Sequence, residues 1–218
     1  LLDSGKPLDA SSMGAMLADT YSLLGERLKQ QVEACAPMPN AAARAYSGWS
    51  GQISGRGALL HAGLLEALSR RGRVNTKLGK TGLDLAGYTS TWVFMLAADQ
   101  RDASLAPWFD DPATSVVESA CTFLQSALDE SYAALGEQRD DAWERHHVLA
   151  LSSPVGIGPL ARWFNAPVIA VPGDRDTVFV SAYRRPREAY HGQMLRVIHG
   201  PSYRYVATWD DSGNVISR

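Results

Sequence analysis

Near Asp141 the hydrophobic pattern of this chain changes period, and that change limits the fold more than any single motif does. Upstream, apolar residues recur at three- and four-residue intervals, the period of amphipathic helices. Downstream they come in short runs broken by glycine and proline, which read as strands. A chain that is helical in its first two-thirds and strand-rich at its end is α+β, because alternating βαβ units would interleave the two patterns. The division predicted is a mainly helical segment over residues 1–141 and a strand-rich segment over 142–218, together one partial domain of a larger protein.

Three helices are predicted. From Ser11 to Cys35, Met13, Leu17, Tyr21, Leu24, Leu28 and Val32 share one face, with Asp9 or Ser11 as cap and Pro37 and Pro39 as terminators. Ala58 to Arg71 repeats the pattern through Leu60, Leu64 and Leu68, with Gly72 as a left-handed stop. Pro112 to Leu135 is the clearest: Asp111 can cap it, Pro112 suits the first turn, and Gly136 ends it. The Gly- and Ser-rich stretches Tyr46 to Gly57 and Gly72 to Gly87 read as loops. Strands are predicted at His146 to Leu151, Val168 to Val171, Thr177 to Ala182, Met194 to His199 and Tyr203 to Trp209.

Composition excludes several classes. With 45% hydrophobic and 20% charged residues, the 218-residue chain can bury a sizeable core. A formal net charge of -2 leaves no footprint for nucleic acid or an anionic membrane. The clusters Arg70-Arg71-Gly72-Arg73 and Arg184-Arg185-Pro186-Arg187 read as solvated turns. The longest apolar run, Trp92 to Ala98, falls far short of the roughly 20 residues that span a bilayer and reads as a buried strand or core helix segment. Leu1-Leu2-Asp3 has no signal-peptide features. Cys35 and Cys121 are too few for a disulfide framework, although one bridge is open to them; each falls on an apolar helix stripe, where a buried unpaired thiol is the commoner outcome.

Several motifs fail on inspection. Gly156-Ile157-Gly158-Pro159-Leu160-Ala161 matches a dinucleotide fingerprint, with Asp174 and Asp176 downstream. Pro159 removes an amide that would face a pyrophosphate, and Pro167 leaves barely two turns for a crossover helix. Gly79-Lys80-Thr81 lacks the earlier glycine of a phosphate loop, since Val74 stands there. Gly48-Trp49-Ser50-Gly51 has Gln52 where a nucleophile elbow needs its second glycine. His61, His146, His147, His191 and His199 show no helical metal spacing, so structural roles are expected for all five and no metal or cofactor is predicted.

What remains is an ordered series. A long leucine-rich helix, Pro112 to Leu135, is followed by Trp143 and, four residues on, His147. Then come Ser153-Pro154, Gly173-Asp174 with Thr177-Val178, and Gly200-Pro201-Ser202-Tyr203-Arg204. In this order and spacing the chain resembles the C-terminal part of the β-chain of penicillin-acylase-type amidohydrolases, with a weaker likeness over Leu1 to Leu28; Ala36 to Ala106 is not placed. Glu144 stands where that pattern has glycine, and Ser153 where it has histidine.

The resemblance implies an N-terminal-nucleophile hydrolase fold, two stacked sheets between helical layers in an αββα sandwich, and a self-cleaving precursor that exposes a Ser, Thr or Cys. That residue's own α-amine, with a pKa near ~7.7–8.0, serves as base at close to neutral pH. Leu1 has no nucleophilic atom, so the nucleophile and the oxyanion asparagine are expected outside this chain, which alone would be inactive. No catalytic residue is assigned here. His147, Asp174 and Arg204 are the residues expected to give structural support. The implied substrate is a linear amide: the acyl side chain of a β-lactam, an acyl-homoserine lactone or an acyl peptide. The implied partners are the α-chain and the N-terminal part of the β-chain, and the implied compartment is the periplasm or the exterior. The residues alone leave a second reading, a non-catalytic α+β module that binds a partner through its helical half. Strand edges separate the two, since an independent module covers or charges its edges and a fragment leaves them apolar.

Overall fold

A computed structural model describes residues 9–35, 40–75, 96, 103–111, 113–136, 141–183, 195–200, 206–209, 212–213 and 215–217. Its helices are α1 (Ala10–Leu17), α2 (Leu23–Ala34), α3 (Ala41–Ser47), α4 (Gly55–Asn75), α5 (Ala120–Leu135), α6 (Trp143–His146) and α7 (Ala161–Phe164), with short 3-10 turns at Ala103–Trp108 and Gly158–Leu160. The strands are β1 (His147–Leu149), β2 (Ile169–Ala170), β3 (Ala182–Tyr183), β4 (Leu195–His199), β5 (Ala207–Trp209) and β6 (Val215–Ser217). The chain is α+β, as its periodicity requires.

The single helix expected from Ser11 to Cys35 is two. Asp9, not Ser11, caps α1: its carboxylate accepts from the Ser12 amide at 2.7 Å while the Ser12 hydroxyl accepts from the Asp9 amide at 2.9 Å. Those bonds hold the Asp9 carboxyl below its usual range. The break follows from side chains that offer the backbone other partners. Asp19 accepts from the Tyr21 amide, and Ser22 caps α2 by accepting from the Gly25 amide, each at 2.9 Å. Tyr21 forms an antiparallel bridge with Gln52. Trp49, which falls between the two bridged residues in sequence, lies between Gly25 and Gly57, neither of which has room for a Cβ against its ring.

α3 was not read from the sequence, although Asn40 caps it by accepting from the Ala43 amide at 2.8 Å. α4 runs beyond the predicted bounds at both ends. Gly72 does not stop it: a glycine inside a helix costs only ~1 kcal/mol, and the helix continues to Asn75. Arg70 and Arg71 are therefore helical and pair with Glu130 on α5, the Arg71 contact at 3.2 Å, rather than forming a solvated turn. α5 begins at Ala120, eight residues after the predicted start, with Ser119 as its cap. Asp111 instead closes a turn, accepting from the Ala113 amide at 2.9 Å, and its own amide donates to Glu118 at 2.8 Å. Pro112 lies outside the described residues. Gly136, at φ 59°, ends the helix as expected.

α2, α3, α4 and α5 enclose the main core around Leu28, Tyr46, Leu64, Leu68, Leu124 and Leu128, which Phe109 and Leu96 also enter. Leu96 is the one residue of the Trp92 to Ala98 run among those described. α4 and α5 approach closely where the Ser131 hydroxyl donates to the Leu60 carbonyl at 3.0 Å beside Gly63. The cysteines overturn the free-thiol expectation: Cys35, at the end of α2, is disulfide-bonded to Cys121 in the first turn of α5. Each sits at a helix end on the core side, so folding the two helices together brings the sulfurs together.

Trp143, Tyr183 and Leu195 join this same core, so the strand-rich part is not a separate body. The four-stranded sheet has the order β2-β1-β4-β3. β1 runs antiparallel to β2 and parallel to β4, and β3 is antiparallel to β4. β5 and β6 form a separate hairpin; β6 was not predicted. The predicted strands are present but shorter, and of Thr177 to Ala182 only Ala182 is in a strand. The residues before it curl into a turn, from which the Phe179 amide donates to the Asp19 carbonyl of the helical part at 2.8 Å.

Candidate functional site

Two of the three predicted support residues, His147 and Asp174, lie near the junction of helices and sheet. Trp143 and His147 are one helical turn apart, and the indole and imidazole stack with centroids 4.4 Å apart. Tyr183 meets the imidazole edge-on at 5.5 Å. His147 is fully buried, and both ring nitrogens face backbone carbonyls: Nδ1 lies 2.6 Å from Val171 O and Nε2 3.0 Å from Ser181 O. A neutral imidazole has one N–H, so it satisfies one carbonyl at a time, and the shorter contact assigns the proton to Nδ1. Burial pulls the His147 pKa below its ordinary value, and the two carbonyls only partly oppose that. Both ring nitrogens thus face backbone carbonyls inside the fold.

Asp174 stands on the other side of Ser181, whose amide donates to the Asp174 carbonyl at 2.7 Å. The Asp174 carboxylate accepts from the Asp176 amide at 2.8 Å, and the Asp174 amide donates to the Thr177 hydroxyl at 3.0 Å. Gly173 has φ +74°, and the Phe179 carbonyl occupies the space a Cβ would need. The Gly-Asp…Thr-Val spacing is thus a closed, hydrogen-bonded turn. His147 and Asp174 act on neighbouring backbone groups and do not touch. Arg204 lies outside the described residues, as do Pro201, Ser202 and Tyr203.

The two departures from the family pattern have structural partners. The Glu144 carboxylate accepts from the Gly55 amide at 3.2 and 3.3 Å, capping the start of α4 from a different element. Ser153 opens a tight turn, its carbonyl accepting from the Gly156 amide at 2.9 Å, and its amide donates to Asn165 at 2.9 Å.

A second arrangement lies in the helical part. The Tyr46 hydroxyl is 2.8 Å from His61 Nδ1, and Trp49 stacks on the imidazole at 4.8 Å. Burial pushes the Tyr46 pKa well up, so the phenol keeps its proton and donates it to Nδ1. Beside this group is a cavity of about 370 Å³ lined by Trp49, Arg56, Leu60, Tyr132 and Leu135. Ser50, at its rim, accepts from the Gln52 amide at 3.3 Å; no nucleophile–base pair is formed, in keeping with the failed elbow motif. His146 contacts the Asp141 carboxylate, and His199 is exposed at the end of β4; His191 lies outside the described residues. No group of three or more His, Cys, Asp or Glu among the described residues is arranged to hold a metal ion. The fingerprint at Gly156 opens a 3-10 turn and the four-residue α7, not a crossover helix.

Among the described residues the structure brings Trp143 and His147 into contact and seats Asp174 in the turn that ends at Ser181. Three features were missed: the Glu144 cap, the Asn165 clamp on the Ser153 turn, and the disulfide. Asn165 is the lone amide side chain between Leu151 and Ala170, but that residue type alone does not say which way it turns.

No curated protein matches the chain. The family model described as penicillin amidase matches residues 1–218, which takes in the stretch Ala36 to Ala106 that motif reading left unplaced. With its whole length matched, on a fold whose Trp143–His147 stack and Gly173–Asp174 turn realise the spacing of the motifs, the chain belongs to the penicillin amidase family, a family of amide hydrolases.

Proposed function

We propose that this chain is the C-terminal part of an amidohydrolase that releases an acyl group from a linear amide by an N-terminal-nucleophile mechanism. The acyl side chain of a β-lactam, an acyl-homoserine lactone and an acyl peptide are the substrate classes. The observation that carries the reading is the family match over the full 218 residues. The nucleophile, its α-amine base and the oxyanion donors are supplied by polypeptide outside this chain, and this chain forms the helical layer and part of the sheet that hold them. Completing the sandwich is the role of residues 142–218, with residues 1–141 as the helical layer.

His147 and Asp174 are supports in this scheme, tying α6, β1, β2 and the approach to β3 through backbone carbonyls and amides, and Arg204 is proposed to belong with them. The Cys35–Cys121 bridge suits an oxidising compartment, which supports a periplasmic or secreted enzyme. No helix among the described residues is long and apolar enough to cross a membrane.

The test is to express the whole reading frame, sequence the N-termini of the mature chains, and assay amine release from one amide of each class. Hydrolysis of at least one, with a catalytic chain that begins at Ser, Thr or Cys and loses activity when its α-amine is blocked, is the expected result. A mature product that cleaves no linear amide, or whose activity survives α-amine blocking, would sink the reading.

A further inference from the structure

Three helices meet around the cavity of about 370 Å³ beside Trp49: α3 ends next to it after Ala45, α4 begins there with Arg56 and Gly57, and the last turn of α5 closes it with Tyr132 and Leu135. That volume lies within the ~300–1,000 Å³ of small-molecule sites, and its walls have their usual character, apolar and aromatic with few polar groups. The support contacts of His147 and Asp174 lie elsewhere.

The aromatic wall is rigid. The Trp49 ring is flanked by Gly25 and Gly57, whose lack of a Cβ makes room for it. Its Nε1 donates to the Gln52 carbonyl at 2.8 Å, and its face stacks on His61, to which the Tyr46 hydroxyl is bonded at 2.8 Å. A ligand lying against this indole has no mobile side chain to order on that wall.

The charge is also held in place. Among the described residues of the lining Arg56 is the one charged group, and no carboxylate is present. Its Nη2 donates to the Gly136 carbonyl at 2.7 Å, which ties the start of α4 to the residue after α5, and a neutral carbonyl leaves the guanidinium its full charge. The helix ends act in both directions, because α4 presents the positive end of its dipole and α3 and α5 their negative ends, each on the order of half a charge. Their sum falls short of the charge on Arg56, so that end of the cavity is electropositive. Tyr132 adds a second aromatic face and a hydroxyl that can donate to an anion.

We propose that this cavity binds a small carboxylate with an aromatic body. The ring packs on Trp49 beside Leu60 and Leu135, and the carboxylate pairs with the Arg56 guanidinium. The same charge turns away an amine, and a neutral head group gains less from it. The assignment does not depend on which amide the whole protein hydrolyses.

The experiment measures binding of radiolabelled benzoate to the product of the whole reading frame by equilibrium dialysis, with benzyl alcohol and benzylamine as competitors that keep the ring and change the charge. Benzoate should saturate a site that benzylamine does not contest and that benzyl alcohol contests about tenfold more weakly than unlabelled benzoate does. Ala45→Trp, at an exposed position on the rim, should plug the cavity, and Arg56→Met should remove its charge. Each should weaken this binding about tenfold, whereas Arg56→Lys, which keeps the charge, should lose less. Arg56→Met also gives up the bond to Gly136, so Ala45→Trp carries the test if a thermal melt shows that variant unfolded. Absence of saturable benzoate binding overturns the proposal, as does binding that Ala45→Trp leaves unchanged, or competition by benzylamine equal to that by unlabelled benzoate. A crystal of the whole product with one of the protein's own side chains filling the cavity overturns it as well.

Discussion

His147 shows how a single side chain here converts burial into pH dependence. Its pKa is lowered by burial, so the folded state favours the neutral ring and the unfolded state binds the proton more readily. The stability it contributes is complete above the ordinary imidazole value near 6.5 and is lost as pH falls below that value through the lower folded one. The His147 C2–H resonance should therefore titrate below pH 6.5, and His147→Gln should flatten the pH dependence of the urea midpoint in that window; titration above 6.5 contradicts the assignment. At Gly173, alanine meets both a positive φ and the Phe179 carbonyl. Gly173→Ala should cost more than ~1 kcal/mol in chemical denaturation, and an unchanged midpoint would mean that the turn is not closed as described. Glu144 is exposed but caps α4 from outside the helix. Glu144→Ala should lower stability by ~0.5–1 kcal/mol, whereas Glu144→Gln, which keeps an acceptor, should lose less.

At the scale of elements, the hydrophobic period located α2, α4 and α5, because each presents a continuous apolar stripe to one core. Leu128, fully buried on α5, is the stripe residue whose truncation should show this most directly: Leu128→Ala is expected to cost ~2–5 kcal/mol by urea melt. Where the sequence misled, two local signals competed. Asp111-Pro112 and Ser119 are both good helix starts, and the acids Asp110 and Glu118 draw the intervening backbone into a hydrogen-bonded loop, the Glu118 amide donating to Asp110 at 2.9 Å, so the later cap prevails. Likewise Asp19 and Ser22 interrupt a pattern whose period continues unbroken from α1 into α2. The sequence left the bridge between α2 and α5 open without deciding it, because two cysteines 86 residues apart carry no pairing signal. Chain-entropy reasoning puts its contribution at an upper value of ~4–5 kcal/mol. Reduction, or Cys35→Ser with Cys121→Ser, should lower the thermal midpoint substantially; a melt unchanged by reductant would show that the thiols are unpaired in solution.

For the whole molecule, fold class was legible because the period change near Asp141 is a global property of the chain. The surroundings of His147 were legible only in part. The spacing of Trp143 and His147 singled out two rings that do stack, but the polar partners of His147 are carbonyls of Val171 and Ser181, and a backbone carbonyl has no sequence signature. The 86-residue span of the Cys35–Cys121 bridge also sets a timetable. At ~5–20 residues per second of synthesis, Cys35 emerges roughly 4–17 seconds before its partner. During that interval α2 carries a lone thiol and lacks the helix it packs against. Within these 218 residues Cys35 has Cys121 as its one cysteine partner, so the bridge can close only after the start of α5 has followed α2 out of the ribosome.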